Sequence, residues 1–163
     1  MTSPHLHLVN PEDLASFIGR ELGPTEWVLM SQEKVTNFAD LTIDHNFIHV
    51  DPVAAAKTPL GGTIAHGFFT LSMLAYFMGQ ANVVPNTTVM GMNYGLNKVR
   101  FLAPVACGKR IRARIKPLSF VPKAPSSVLA TLEITVEIEG EAKPALIAEA
   151  LAMYVLKAPM PSA

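Results

Sequence analysis

Phe68-Phe69-Thr70-Leu71-Ser72-Met73-Leu74-Ala75-Tyr76-Phe77-Met78 is the stretch that decides the fold. Wound at 3.6 residues per turn it is apolar on nearly every side, and a helix with no face for water is buried all round. Beyond it the hydrophobic period drops to two. Strands are predicted over roughly Thr88–Tyr94, Asn97–Leu102, Arg110–Phe120, Val128–Ile138 and Leu146–Leu156. The alternation is plainest in Arg110-Ile111-Arg112-Ala113-Arg114-Ile115 and Glu133-Ile134-Thr135-Val136-Glu137-Ile138. One long buried helix followed by several antiparallel strands predicts an α+β domain whose sheet curls around that helix.

Upstream, Asn10-Pro11-Glu12-Asp13 signals a helix start, with a capping side chain, proline at the first helical position and two acids at the positive dipole end. That helix ends by Gly23-Pro24. Another follows Ser31, with Val35, Phe38, Ala39 and Thr42 at helical spacing on its inner face, and delivers the chain to Asp44. Asp51-Pro52 repeats the cap-plus-proline signal for a short helix through Lys57, closed by Thr58-Pro59-Leu60-Gly61-Gly62.

The chain has 163 residues, 50% of them hydrophobic and 16% charged, with 13 Lys+Arg against 13 Asp+Glu. That length predicts one domain over residues 1–163, burying roughly 68–70% of its unfolded surface. Zero net charge supplies no whole-molecule field for polyanions, which argues against nucleic-acid or anionic-membrane partners. Cys107 is the only cysteine, so there is no internal disulfide framework, and a reducing compartment fits. Met1 to His7 lacks the basic and apolar regions of a secretory signal. Ile64 to Met78, the most apolar stretch, is too short to span a bilayer. The expected location is the cytoplasm.

Asp44-His45-Asn46-Phe47-Ile48-His49-Val50-Asp51 places two acids, two histidines and an amide in eight residues between helices. Asp44 and His49 form a candidate general acid/base pair, a carboxylate and an imidazole converging on one water. The competing reading makes Asp44 a turn cap and His49 a packing residue. A metal set of His45, His49, Asp44 and Asp51 is disfavoured, because the helical zinc motif needs Glu directly after the first His and Asn46 stands there. His5 and His7 look incidental. Gly67, directly before the buried helix, lets a ligand approach free N–H groups that would polarise a carbonyl oxygen, unless the glycine merely relieves crowding.

Three segments carry a family resemblance: Phe38-Ala39-Asp40-Leu41-Thr42-Ile43-Asp44-His45-Asn46-Phe47-Ile48-His49-Val50-Asp51-Pro52, Gly62-Thr63-Ile64-Ala65-His66-Gly67-Phe68 and Lys98-Val99-Arg100-Phe101-Leu102-Ala103-Pro104-Val105. Together they resemble the MaoC-like dehydratases, the (R)-specific enoyl-CoA hydratases of the hotdog fold. Asn93 to Phe101 is similar to the single-domain, nodulation-protein-N-like branch. The resemblance implies that Asp44 and His49 activate a water that adds to C3 of a trans-2-enoyl thioester while C2 is protonated, with Gly67 N–H holding the thioester oxygen. Asn46 would orient the loop or the water. It implies no metal and no cofactor, since coenzyme A enters as part of the substrate, and a homodimer with sheets joined edge to edge. Ile43 departs from the glycine frequent before the catalytic Asp, and Phe47 directly follows Asn46, which implies a stiffer loop or a narrower pocket. The helical serine of some members falls at Ala75, leaving Ser72, one turn earlier, as a supporting candidate.

No acid occurs between Asp51 and Glu133, whereas nine Lys and Arg do. Arg110, Arg112 and Arg114 share one strand face and either hold phosphates or pair with Glu133, Glu137 and Glu139 on a later strand; parity favours pairing. Phosphate contact falls instead to other basic residues, Lys98 and Arg100 among them. The leading function is hydration or dehydration of acyl-CoA. A hotdog thioesterase and a silent acyl-thioester binder are the alternatives.

Overall fold

The computed structural model describes residues 4–159. Met1–Ser3, part of the stretch read for a signal, and the last residues of the 1–163 domain reading lie outside the described residues. In chain order the elements are β1 (His5–Val9), a 3₁₀ helix (Pro11–Phe17), β2 (Val28–Leu29), α1 (Gln32–Thr42), α2 (Phe47–Val50), α3 (Pro52–Ala55), α4 (Gly67–Ser72) and α5 (Leu74–Met78). There follow β3 (Ala81–Pro85), β4 (Thr88–Phe101), β5 (Arg110–Ala124), β6 (Ser127–Ile138) and β7 (Leu146–Leu156).

The main sheet is antiparallel in the order β2-β5-β6-β7-β4. Its inner face is the alternation read from the sequence. Ile111, Ala113 and Ile115 of β5, then Val128 through Ile138 at every second residue of β6, and Leu146, Ala148, Ala150, Ala152, Tyr154 and Leu156 of β7 are all buried. Leu74 and Phe77 of α5 join them in one core. Phe77 is fully buried, a burial contributing roughly 1.5–3 kcal/mol relative to exposure.

The outer face carries the charges. Arg112 and Arg114 both hold Glu137, at 2.6 and 2.7 Å, Arg114 also holds Glu21, Arg110 holds Glu139 and Lys116 holds Glu133. Burial pushes the Glu137 carboxyl up, but the hydrogen bonds from Arg114 and Arg112 outweigh it and leave it below its ordinary range. The arginine row is therefore committed to cross-strand pairs, as its parity indicated. The Arg112 guanidinium also lies 4.4 Å over the Trp27 ring.

Several expectations are corrected. The helix over Phe68–Met78 is not buried all round: Phe68 is 71% and Tyr76 48% exposed, because one sheet covers only one side of it. It is also irregular at Met73, where Ser72 Oγ donates to the Phe69 carbonyl at 2.7 Å. Such back-bonding by a helical hydroxyl bends helices. The two strands read as Thr88–Tyr94 and Asn97–Leu102 are a single β4, the glycine and its neighbours appearing as register shifts between Asn93 and Gly95 and between Leu96 and Lys98. The first helix is a 3₁₀ helix that stops at Phe17, and Asn10 makes no backbone cap; its amide reaches Asp13 and its carbonyl accepts from Asn86 Nδ2. Thr42, expected to face inward on α1, is exposed. His7 lies in β1, a strand paired in parallel with β3, and its ring contacts Phe17 at 5.1 Å between centroids. The β1–β3 pair joins segments more than seventy residues apart, too distant for local periodicity to report. Among the described residues no helix is long and apolar enough to cross a membrane.

Helix α1 starts at Ser31, whose side chain accepts from Lys34 N–H, and stops at Ile43 in the left-handed region, φ 61° and ψ 23°. A β-branched residue there is a genuine outlier, and the conformation explains why glycine suits the position. Ile43 is 84% exposed, so little packing is at stake in the described chain. Ile43→Gly is expected to raise the urea midpoint: relief of about 1–2 kcal/mol exceeds the roughly 0.5–1 kcal/mol entropy cost of glycine. A lowered midpoint would refute strain at this cap.

Tyr154, buried on β7, accepts a hydrogen bond from Asn82 Nδ2 of β3 at 3.0 Å. Burial pushes its phenol from 10.0 up to about 12, despite the opposing effect of that bond. A raised folded-state value means a contribution that is complete below the unfolded value and is lost as pH climbs through the folded one. Stability measured by urea unfolding should thus fall between pH 10 and about 12, and Tyr154→Phe should flatten that part of the curve. An equal decline in the variant would rule Tyr154 out as its source.

Candidate active site

The loop after α1 is built from successive short caps. Asp44 N–H donates to the Ala39 carbonyl at 3.1 Å, and the Asp44 carboxylate accepts weakly from Asn46 N–H at 3.4 Å. Asn46 Oδ1 then caps α2 at Ile48 N–H, and Asp51 caps α3 through Val53 and Ala54. Asx side chains at turn and cap positions satisfy backbone donors that a short helix leaves open. The result is a single turn, α2, that aims His49 inward while the Asp44 side chain stays exposed. Asn46 is thus occupied as a cap and orients the loop.

His49 is 8% exposed. Its Nδ1 lies 2.7 Å from the Ile64 carbonyl; a carbonyl only accepts, so Nδ1 carries the proton and Nε2 of the neutral ring keeps a lone pair. The main chain is clamped as well. Gln32 Nε2 donates to the His49 carbonyl at 2.7 Å, and Gln32 Oε1 accepts from Thr63 Oγ1. The first residue of α1 and the segment before α4 therefore hold His49 from two sides.

His66 completes the cluster. It is 3% exposed and stacks on His49 with 3.7 Å between ring centroids and 26° between planes. Its Nε2 donates to the Asp44 carbonyl at 3.0 Å, and its Nδ1 is buried without a hydrogen-bond partner. One ring nitrogen from each histidine and one Asp44 carboxylate oxygen lie within 4.8 Å of one another. Three such ligands suit a catalytic zinc by number. Near-parallel stacked rings, however, send their in-plane lone pairs side by side rather than to one point about 2.0–2.1 Å from both. The arrangement fits a water between proton carriers better than a metal. The metal set considered from sequence is not assembled: His45 pairs with Asp40 at 2.8 Å and Asp51 is a helix cap.

Gly67 follows His66 as the first residue of α4. A Cβ there would meet the Phe101 ring at 3.1 Å, so the glycine admits an aromatic wall from β4 against the helix start. Gly67, Thr70, Ile64, Phe101 and Val105 line a cavity of about 320 Å³, and Ile64 is the residue this lining shares with the contacts of His49. First-turn N–H groups of a helix have no partner within it, and the Gly67 amide is one of these.

Of the residues singled out in sequence, Asp44 and His49 come together and Gly67 lies one residue beyond the ring stacked on His49. Ser72 does not join them. Its hydroxyl is spent on the Phe69 carbonyl, and it lines a separate cavity of about 260 Å³ with Leu71, Ala75, Tyr94 and Leu151. Lys98 and Arg100 are exposed on β4, and an Arg100 Nη donates to the Val99 carbonyl at 2.8 Å. Sequence reasoning passed over His66, Gln32 and Thr63. His66 and Thr63 stood within a quoted motif, but nothing in spacing showed that His66 would stack on a ring 17 residues earlier, and Gln32 carried no signal.

A family model described as MaoC like domain matches residues 13–137. The 3-hydroxyacyl-thioester dehydratase Z of Mycobacterium tuberculosis (strain ATCC 25618 / H37Rv) is 48% identical over 143 residues, covering 88% of this chain and 94% of that protein. Nodulation protein N of Rhizobium leguminosarum bv. viciae is 47% identical over 146 residues, covering 88% and 89%. Among solved structures, the (R)-hydratase from A. caviae superposes with a TM-score of 0.67 at 24% identity, covering 88% of this chain and 96% of that one. The monoamine oxidase regulatory protein from Archaeoglobus fulgius does so with 0.73 at 24% identity, covering 98% and 100%. The two structures establish the hotdog fold for the curled sheet and its helix. Descent is established by the matches that run nearly end to end: the chain belongs to the MaoC-like dehydratase family and is an enzyme of the hydratase–dehydratase type.

Proposed function

We propose that this protein catalyses (R)-specific hydration of trans-2-enoyl-CoA to (R)-3-hydroxyacyl-CoA, or the reverse dehydration. The observation that carries the reading is the pairing of an exposed Asp44 carboxylate with a buried His49 whose Nδ1–H is pinned to Ile64, beside the first amide of α4. Water held by the pair gives up a proton and its oxygen bonds to C3, while C2 gains a proton; one water is added and nothing else is consumed. Charge that develops on the thioester oxygen is met by the Gly67 N–H, a fixed dipole of the kind that stabilises oxyanions. His49 has Nε2 open to accept, and the carboxylate has only the weak contact to Asn46 N–H, so both bases face reactants unspent. The name of the M. tuberculosis relative, a 3-hydroxyacyl-thioester dehydratase, supports the substrate class.

In this reading coenzyme A arrives as part of the substrate and no cofactor is needed. Lys98 and Arg100 supply phosphate contacts, since the arginine row of β5 is committed to glutamates, and the protein works in the cytoplasm. It acts as a homodimer joined along β4. That strand is fourteen residues long, among the described residues its neighbour in the main sheet is β7 alone, and it exposes Val89, Met90, Met92, Tyr94 and Leu96. A long apolar edge in water invites a partner strand. Sedimentation at micromolar concentration should return twice the chain mass.

Purified protein should bleach the conjugated enone absorbance of crotonyl-CoA, with (R)-3-hydroxybutyryl-CoA as product. Asp44→Asn and His49→Ala should each lower that rate by about 10²–10⁴-fold. Thiol release with the enone intact would overturn the reading in favour of a thioesterase. Binding of acyl-CoA with neither change would make the protein a silent binder.

A further inference from the structure

We propose that His66 is a positioning residue for the hydration, setting both the place of Asp44 and the plane of the His49 ring. The inference rests on the reading of Asp44 and His49 as the proton-transfer pair. It starts from burial. An imidazole that is 3% exposed gives up its hydration, which is costly for any polar group left unpaired, and here Nδ1 is left unpaired. The ring also packs against Phe38, at 5.1 Å between centroids, and Phe38 in turn stacks on Phe69. A phenylalanine would fill such surroundings without that cost. The imidazole therefore earns its position through the one polar bond it does make, from Nε2–H to the main-chain carbonyl of Asp44.

That bond ties down the loop that carries Asp44. Asp44 follows a helix cap in a left-handed conformation, and its side chain is exposed. The tie to His66 is made through the backbone, so the loop is fixed while the carboxylate remains free to face reactants. The stacked face acts on the second partner. His49 is held at one edge by Nδ1–H to Ile64, and a ring inclined by 26° to it at 3.7 Å opposes rotation about that hydrogen bond. Nε2 is thereby given one direction. His66 is also the N-cap of α4, its carbonyl accepting from Thr70 N–H at 3.1 Å. Carboxylate, imidazole and helix amide thus share a single side chain and its backbone as their common reference. Misplacing a reacting group by about 1 Å can cost on the order of 10²-fold in rate.

The two rings hold opposite tautomers in this arrangement, Nδ1–H on His49 and Nε2–H on His66, since each donates to a carbonyl. Three measurements on the full chain test the proposal. His66→Phe keeps the stack and the packing but has no donor; with crotonyl-CoA its kcat should fall about 10–10²-fold while KM and melting temperature stay near those of the parent. His66→Gln restores an N–H at comparable reach but gives up the stacked ring, so it should recover part of the lost kcat, the remainder reporting the stack. A Phe variant with the parent's kcat, or a folded Gln variant no better than Phe, overturns the proposal. Long-range ¹H–¹⁵N NMR of the parent protein, with the His66→Gln spectrum used to identify the His66 signals, should show His66 protonated at Nε2. The Nδ1–H tautomer there would also overturn it, and this readout needs neither a foldable Phe variant nor any turnover. A parent protein that lacks hydratase activity would count against the proposed function, with the tautomer still deciding the geometry around His66.

Discussion

The apolar side of the helix pair α4–α5 has to leave water, and the rest of the molecule is arranged by that requirement. Leu74 and Phe77 are buried against a sheet whose inner residues alternate along β6 and β7 and along β5 as far as Pro117. Once the sheet has curled over the helix, the start of α4 is fixed relative to β4, and Phe101 closes on Gly67. The segment that leads into α4 also carries the Ile64 carbonyl and His66, the two groups that hold His49 and Asp44. Core and candidate site therefore meet in the segment Ile64 to Gly67, where Ala65 packs in the core between the residues that hold His49 and Asp44.

Charge is handled locally rather than globally. The formal net charge of zero conceals a basic middle of the chain, and the outer face of the sheet returns acids to it by antiparallel pairing: Arg112 opposite Glu137 and Lys116 opposite Glu133 in register. Pairs of this kind are partly exposed and add little to stability individually. Their consequence is selective. They commit the arginine row to glutamates, while Lys98 and Arg100 stand exposed on β4, the strand that ends at the Gly67 wall.

Much of the site was readable because its chemistry is compressed into short spans. Asp44 and His49 lie five residues apart, Asp51-Pro52 announces its own helix, and Ile43 was marked as a departure before its left-handed conformation gave the reason. What escaped reading is what depends on contacts between spans. His66 acquires its importance from a ring 17 residues away and a carbonyl 22 residues away, and Gln32 from bridging α1 to Thr63. Ser72 shows the converse: the family resemblance pointed to a hydroxyl on this helix, and that hydroxyl donates to the helix's own backbone.

Sequence alone determined the strand faces, the ladder of opposite charges, the caps of α1 and α3, and the residue types available for acid–base chemistry. Each of these follows from periodicity or from interactions within a few residues, which a linear string records. Only the tertiary structure decided that the helix would be covered on one side, that β1 and β3 would pair in parallel, and that a second histidine would stack on the first. Those outcomes depend on which distant surfaces meet when water is expelled, and hydrophobic burial, being non-directional, does not write its partners into the local sequence.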